Sequence, residues 1–322
     1  GLGDVYKRQL ICRVTLGILI VSSWTMVSCD SFKEDLPECR LSVKFKYDYN
    51  MEFADAFHTQ VDKVELYVFD KDGKFLFKQA EEGGSLSTGN YLMEVALPVG
   101  EYQFVAWAGA RDSYDITSLI PETSTITDLK LQLKREESLI IDKELETLWY
   151  GEIINVNFTG TIHQTETINL IKDTKRVRFI FQSYANNWEL KMNDYDYEIR
   201  ESNGYLGHDN SLLDDDVLSF RPYHMNQLNS FSASVDLNTM RLMKDRTTRL
   251  VITEKSTSNK VFDINLIDYL AMTNMEDKKI GMQEYFDRQS NYHIVFFLSG
   301  SWLAMKIVIN GWTVYSQTEG DF

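Results

Sequence analysis

From Leu41 onward the apolar residues of this chain recur at every second position, and that two-residue period limits the fold more than any other feature. Leu41, Val43, Phe45, Tyr47 and Tyr49 fall on one side, Ser42, Lys44, Lys46 and Asp48 on the other. Successive side chains of a strand point to opposite faces, so aromatic and branched residues at this spacing predict a half-buried strand. Val64 to Phe69 and Phe75 to Phe77 flank Lys71-Asp72-Gly73-Lys74. Asp-Gly supplies the positive φ of a tight turn and predicts a hairpin there. Tyr91 to Leu97 and Tyr102 to Trp107, separated by Pro98-Val99-Gly100-Glu101, predict a second hairpin, and Leu129 to Leu133, Ile153 to Phe158 and Thr161 to Leu170 add further strands. With no sustained 3.6-residue pattern among them, residues 40–165 are expected to form an all-β sandwich.

The same rhythm returns in residues 166–322. Val177, Phe179 and Phe181 alternate with Arg176, Arg178 and Ile180, and Phe231, Ala233, Val235 and Leu237 alternate with Ser230, Ser232, Ser234 and Asp236. Thr247 to Thr253, Lys260 to Asp263, Tyr292 to Leu298 and Trp312 to Tyr315 continue it. Ile264 to Met272 and Gly281 to Arg288 carry helical spacing instead. A second sandwich with one or two short helices is expected, which suits a chain of 322 residues, too long for one compact core.

Ahead of the strands lies a leader. Lys7, Arg8 and Arg13 form a positive start, Val14 to Val21 an apolar run, and Met26-Val27-Ser28-Cys29 approximates a lipobox. The apolar run is about eight residues, against the roughly 20 that a bilayer span requires, so residues 1–28 read as a cleaved signal, with 1–9 not native leader. Cys29 then becomes the lipidated first residue; a plain secretory cut nearby is the alternative. Residues 29–39 form a polar tether containing Pro37. Removing 1–28 takes away three positive charges (Lys7, Arg8, Arg13) and one negative (Asp4), moving the net charge from −15 to −17. So acidic a body disfavours nucleic acid and anionic lipid surfaces, both of which need basic patches. Cys39 is expected to be a buried single thiol, or to pair with Cys29 where no lipid is attached.

Motifs for catalysis are missing from the sequence. His58, His163, His208, His224 and His293 are scattered, without HExxH spacing, and neither a G-x-S-x-G elbow nor a glycine-rich phosphate loop occurs. Asp209, Asn210, Asp214, Asp215 and Asp216 are the densest oxygen cluster, but their spacing is not that of an EF-hand. No enzyme activity, cofactor, metal or small-molecule substrate is expected. Leu303, Met305, Ile307 and Ile309 alternate cleanly and read either as a subunit contact or as an ordinary core strand.

Several blocks together resemble the FimB/Mfa-type fimbrial anchor lipoproteins, accessory subunits of the type V pili of anaerobic Gram-negative bacteria. They are the leader ending in Cys29, LSVKFKYDYN (Leu41 to Asn50), LPVGEYQFVAWAG (Leu97 to Gly109), KDTKRVRFIF (Lys172 to Phe181), QEYFDRQSNYHIVFFL (Gln283 to Leu298) and IVINGWTV (Ile307 to Val314). The resemblance implies two tandem transthyretin-like Greek-key sandwiches on a surface-exposed lipoprotein of the outer membrane. It further implies a role holding the base of a fimbria and limiting its length through β-strand exchange with a stalk pilin. An anchor tethered at its start would keep its own first strand. Lys33, Glu34 and Asp35 resemble an acidic surface-export signal, or read as solvated linker. An accessory or tip adhesin for host protein or glycan is the alternative function.

Overall fold

The structure, a computed structural model, describes residues 39–273 and 279–316. Its first half supplies β1 (Arg40–Lys46), α1 (Phe57–Gln60), β2 (Lys63–Asp70), β3 (Phe75–Glu82), β4 (Met93–Val95), β5 (Gly100–Ala108), β6 (Tyr114–Ile116), β7 (Leu131–Leu133), β8 (Ile140–Ile141), β9 (Trp149–Phe158) and β10 (His163–Lys172). Seven strands form one sheet in the order β3-β2-β5-β9-β10-β1-β4. That sheet turns a corner within β10, whose residues 163–169 run parallel to β1 while Leu170 to Lys172 pair antiparallel with β9. A strand that changes neighbours along its length folds one sheet into two packed layers. The free edges nearly meet, Gln79 Nε2 on β3 donating to Glu94 O on β4 at 3.0 Å. Between the layers lie Leu41, Val43, Phe45 and Tyr47, the predicted inward side of β1, against Val64, Leu66, Val68 and Phe104.

The hairpin predicted at Lys71 to Lys74 forms between β2 and β3. The one predicted around Pro98 does not: β4 pairs with β1, and β5 pairs with β2 and β9. The reason is burial. Phe104 to Ala108 are buried at every position, so β5 lies in a part of the sheet covered on both faces, between β2 and β9, whereas three-residue β4 closes an edge beside β1. The Pro98 connection therefore crosses between layers instead of reversing within one. β2 is also covered on both faces: Val64, Leu66 and Val68 face the first core, while Tyr67 and Phe69 join Val105, Trp107 and Tyr150 in a second, larger one.

That larger core extends into the second half, built from β11 (Lys175–Ser183), β12 (Tyr195–Glu201), β13 (Tyr205–Leu206), β14 (Leu218–Phe220), β15 (His224–Asn229), β16 (Ser232–Thr239), β17 (Arg249–Glu254), β18 (Lys260–Asn265), α2 (Leu266–Ala271), α3 (Met282–Arg288), β19 (Asn291–Leu298), β20 (Ala304–Ile309) and β21 (Trp312–Ser316). One layer runs β15-β16-β11-β19-β20-β21, the other β18-β17-β12-β14-β8. Phe179, Phe181 and Phe296 stack between them with ring centroids 5.8 to 6.1 Å apart. Both expected helices are present, and Asn265 caps α2 by accepting from Ile267 N. The architecture is all-β, two sandwiches joined in sequence.

The halves are more interleaved than a cut between residues 165 and 166 allows, because that cut falls inside β10. β8 pairs parallel with β14 and so completes a layer of the second half, while β6 and β7 form a separate three-stranded sheet with β13 from the second half. An alternating triplet such as Leu131-Gln132-Leu133 marks a strand without naming its partner.

Gly109 shows how tightly the first half packs where β5 ends. Its φ is +70°, and a Cβ there would sit 2.1 Å from Thr147 O and 2.8 Å from the Trp149 ring. Gly83, at φ +100°, has open space around it. Gly109→Ala should destabilise the protein by roughly 2–4 kcal/mol and Gly83→Ala by about 1 kcal/mol, read as urea midpoints. Equal losses would show that backbone conformation, not the Thr147 contact, fixes glycine at 109.

Candidate functional site

Charged side chains are drawn deep into the interior at the passage from β10 to β11. The sequence forces this, because Lys172-Asp173-Thr174-Lys175 links two strands that are both in the core. Asp173 and Lys175 are each 0% exposed. The backbone of Asp173 donates to Leu148 O at 2.9 Å, and Thr174 Oγ1 accepts from Leu148 N at 2.9 Å. Lys175 Nζ donates to Lys172 O at 2.9 Å and Asp287 O at 3.2 Å. Asp173 Oδ1 accepts from Asn210 Nδ2 at 3.0 Å. Arg241 completes the cluster, gripping both carboxylate oxygens of Asp287 at 2.9 and 3.0 Å and donating to Asn210 O at 2.6 Å.

Burial governs the charges of this joint. It pushes the Asp173 carboxyl above the usual carboxylate range, with Arg241 opposing, and it lowers Lys175 below the usual lysine range, with Asp287 opposing. Beside the joint, α3 holds the end of β1. The Arg288 guanidinium lies 4.1 Å over the Tyr49 ring and 4.4 Å over Phe53, and it donates to Asp48 O and Asn50 O at 3.3 Å each. Glu284 orients it from one helical turn away, at 2.6 Å. Neither Arg241 nor Arg288 stood out in the sequence, although KDTK between apolar strands is the signal that a buried charge cluster leaves.

At the opposite end of β1 the chain enters the fold. Arg40 N donates to Ile162 O at 3.2 Å, and Cys39, exposed rather than buried as expected, places its thiol 2.7 Å from Gly160 O. Cys29, Lys33, Glu34 and Asp35 lie outside the described residues, as do residues 1–28. Of the alternating set near the end of the chain, Ile307 and Ile309 are in the core, Met305 is half-buried, and Leu303, just before β20, is 53% exposed. Their periodicity is that of a core strand, and only Leu303 stands fully on the surface. The acidic cluster serves the fold: Asp215 pairs with Arg135 and accepts from Gly204 N, Asp209 accepts from Ser211, and Asn210 joins the joint. Among the described residues no three His, Cys, Asp or Glu side chains converge to hold a metal, and no helix is long and apolar enough to cross a membrane.

The family described as fimbrillin-A associated anchor proteins Mfa1 and Mfa2 matches residues 36–318. This chain belongs to that family. The minor fimbrium anchoring subunit Mfa2 of Porphyromonas gingivalis is 22% identical over 324 residues, spanning 96% of this chain and 97% of the relative. A solved structure of the Mfa2 anchor protein from that organism superposes with a TM-score of 0.69 at 20% identity, over 86% of this chain and 99% of that one, and so shares the fold. A Bacteroides thetaiotaomicron structure described as a candidate polysaccharide-binding protein is 77% identical, with a TM-score of 0.85, over 88% of this chain and 99% of that one. Membership in the anchor family makes this chain a fimbrial accessory protein of the cell envelope. The KDTK and QEYFDRQ blocks that carried the resemblance are the ones that build the joint.

Removing one partner from a buried ion pair leaves the other uncompensated, so Asp287→Ala should cost roughly 3–5 kcal/mol by urea denaturation. Asp173 tests the sign of the desolvation. With its folded pKa raised, its contribution is fully present below the ordinary carboxylate range and is lost as pH rises through the folded value. Asp173→Asn should therefore gain on the wild type as pH rises from about 4 to about 6, the value to which burial pushes the carboxyl, and no further above it. A constant difference across that window would mean that the buried carboxyl titrates as it does in the unfolded chain.

Proposed function

We propose that this chain is the lipid-anchored base subunit of a fimbria, a non-catalytic tether that carries tension from the outer membrane to a stalk pilin and limits fimbrial length. The observation that supports it most is the parallel pairing of β1 with β10, in register from Arg40↔His163 to Lys46↔Asn169. A tether pulls β1 toward its start. A load on the second sandwich, passing through residues 173–175 into β11, pulls β10 toward its end. In parallel strands these opposed forces slide one strand along the other, so the hydrogen bonds of the pair share the load. Peeling would load them one at a time. Each bond contributes only about 1 kcal/mol, and simultaneous loading is what makes such a pair resist. Membership in the anchor family supports the same reading, as does the name of the P. gingivalis relative. Strand exchange with the pilin, surface exposure, and export through Lys33, Glu34 and Asp35 belong to this reading as proposals.

A second reading, an adhesin for glycans, draws on the description of the 77% identical relative and on one cavity of about 650 Å³. Tyr67, Phe75 and Phe77 line it beside Lys63, Glu65 and Arg111, a mixture of ring faces and charges able to hold sugars. Phe77→Ala with unchanged retention on a glycan array would remove this reading.

Two measurements test the tether. Cys29→Ala should release the protein into the culture fluid and increase shedding of fimbriae; a variant that stays in the membrane fraction would exclude Cys29 as the lipid site. The shear geometry can be read by single-molecule pulling on the full chain between Cys39 and Arg176→Cys, with Cys12 and Cys29 replaced by Ser. Alternate residues of a parallel strand bond to a given neighbour, so Lys44, with the parity of Arg40, directs its N–H at β10. Lys44→Pro should lower the rupture force clearly more than Leu86→Ala, which opens the same core away from the pair. Equal reductions would mean that force follows global stability and that the β1–β10 pair is not the barrier.

A further inference from the structure

We infer that the end of the first sandwich where β1 begins rests against lipid head groups, with Val99 and Ile162 as its contact. The inference deepens the tether reading and rests on it. Three segments converge at this end: the start of β1, the connection from β4 to β5, and the connection from β9 to β10. Arg40 N bonds to Ile162 O and the Cys39 thiol lies against Gly160 O, while a Cβ on Gly160 would reach Val99 Cγ2 at 2.8 Å. The tips are built rather than loose. Tyr102 OH donates to Pro98 O at 2.8 Å, and Gly100 pairs with Phe158.

What this end presents is mostly aliphatic and hydroxyl. Val99 is 66% exposed and Ile162 53%, and Pro98, Thr159 and Thr161 are exposed beside them. Residues 96–100 and 159–165 contain no Asp or Glu in a chain that has 48. Glu94, paired with Arg40 at 3.4 Å, and Glu101 are carboxylates that border the patch. Aliphatic and hydroxyl side chains without a carboxylate suit the head-group region, where acids would be repelled or stripped of water.

Chain length selects the occupant. Nine residues separate Cys29 from Cys39, so a lipid on Cys29 keeps this end within about 35 Å of the bilayer at full extension. The other end of β1 is held at the joint by Arg288 and cannot face the membrane at the same time. Two partly inserted aliphatic side chains would not bind a free protein. Attached by a short tether, the same contact becomes intramolecular, at an effective concentration on the order of millimolar, and can then set orientation. Exposed Val217 serves as the reference, since it belongs to the second half.

The test uses protein recovered from cell membranes, its amino-terminal acylation read by mass spectrometry, in phosphatidylcholine vesicles. Hydrogen–deuterium exchange is compared with that of the Cys29→Ala protein alone. Amides of residues 97–101 and 159–163 should exchange several-fold more slowly on vesicles, with no change around Val217. Val99→Ser with Ile162→Ser, both exposed and so tolerated by the fold, should restore fast exchange while the protein stays attached. Acylated protein with no protection at these tips overturns the inference and leaves the tether reading standing. Protection that survives the double substitution, or that falls around Val217, overturns it too by pointing to another surface. Absence of acylation overturns both.

Discussion

The parallel pairing of β1 with β10 is the constraint on which the rest of the molecule depends. Because the strands run in the same direction, both begin at one end of the first sandwich and both finish at the passage into the second. The pair joins residues more than 120 positions apart, and closing such a loop opposes folding by about 4 kcal/mol in chain entropy. β1 must therefore be held by more than its ladder. The buried row Leu41, Val43, Phe45 and Tyr47 supplies that hold, together with the β4 edge and the Arg288 grip on residues 48–50. A first strand fixed on every side is what a chain pulled from its start requires.

The joint solves a different problem. Two sandwiches linked by two residues, Asp173 and Thr174, would hinge unless the linkage were packed. Placing Lys175, Asp173, Arg241 and Asp287 together inside carries a desolvation penalty of several kcal/mol per ion, offset only where each charge is met by partners of fixed geometry. Those partners come from strands and helices of both halves: Lys172 and Leu148 on one side, Asn210, Asp287 and Gln283 on the other. Any rotation between the sandwiches would break several of these bonds together. The larger hydrophobic core, which runs from Trp107 through Leu131 to Phe179, adds the bulk of the burial at the same place.

Local chemistry was readable from the residues, and partnership was not. The period of two placed β1, β11, β16 and β19, the Asp-Gly pair placed the β2–β3 turn, and helical spacing placed α2 and α3, because each is determined within a few residues. The Pro98 connection was misread as a hairpin because the choice between reversing and crossing depends on which strands flank Phe104 to Ala108, and those lie 36 to 50 residues away. Ile307 and Ile309 show the same limit: alternation identifies a face but not whether it points into the core or toward a partner. Arg241 and Arg288 act on groups from distant parts of the chain, and no local pattern encodes them.

Direction of load links these observations. A β-sandwich resists tension along its strands far better than across them, and only a parallel terminal pair turns a pull on the chain's start into sliding rather than unzipping. Antiparallel β4, on the other side of β1, has three register pairs and ends where the tips begin, so it can guide β1 but shares little of the load. The continuous covalent route from β10 through a rigid, buried linkage into central strand β11 then delivers that load to the middle of the second sandwich, where β16 and β19 flank it over eight register pairs each. Peripheral strands such as β15 and β21 lie off this route. On the proposed tether reading they can meet other subunits without weakening the path from membrane to filament.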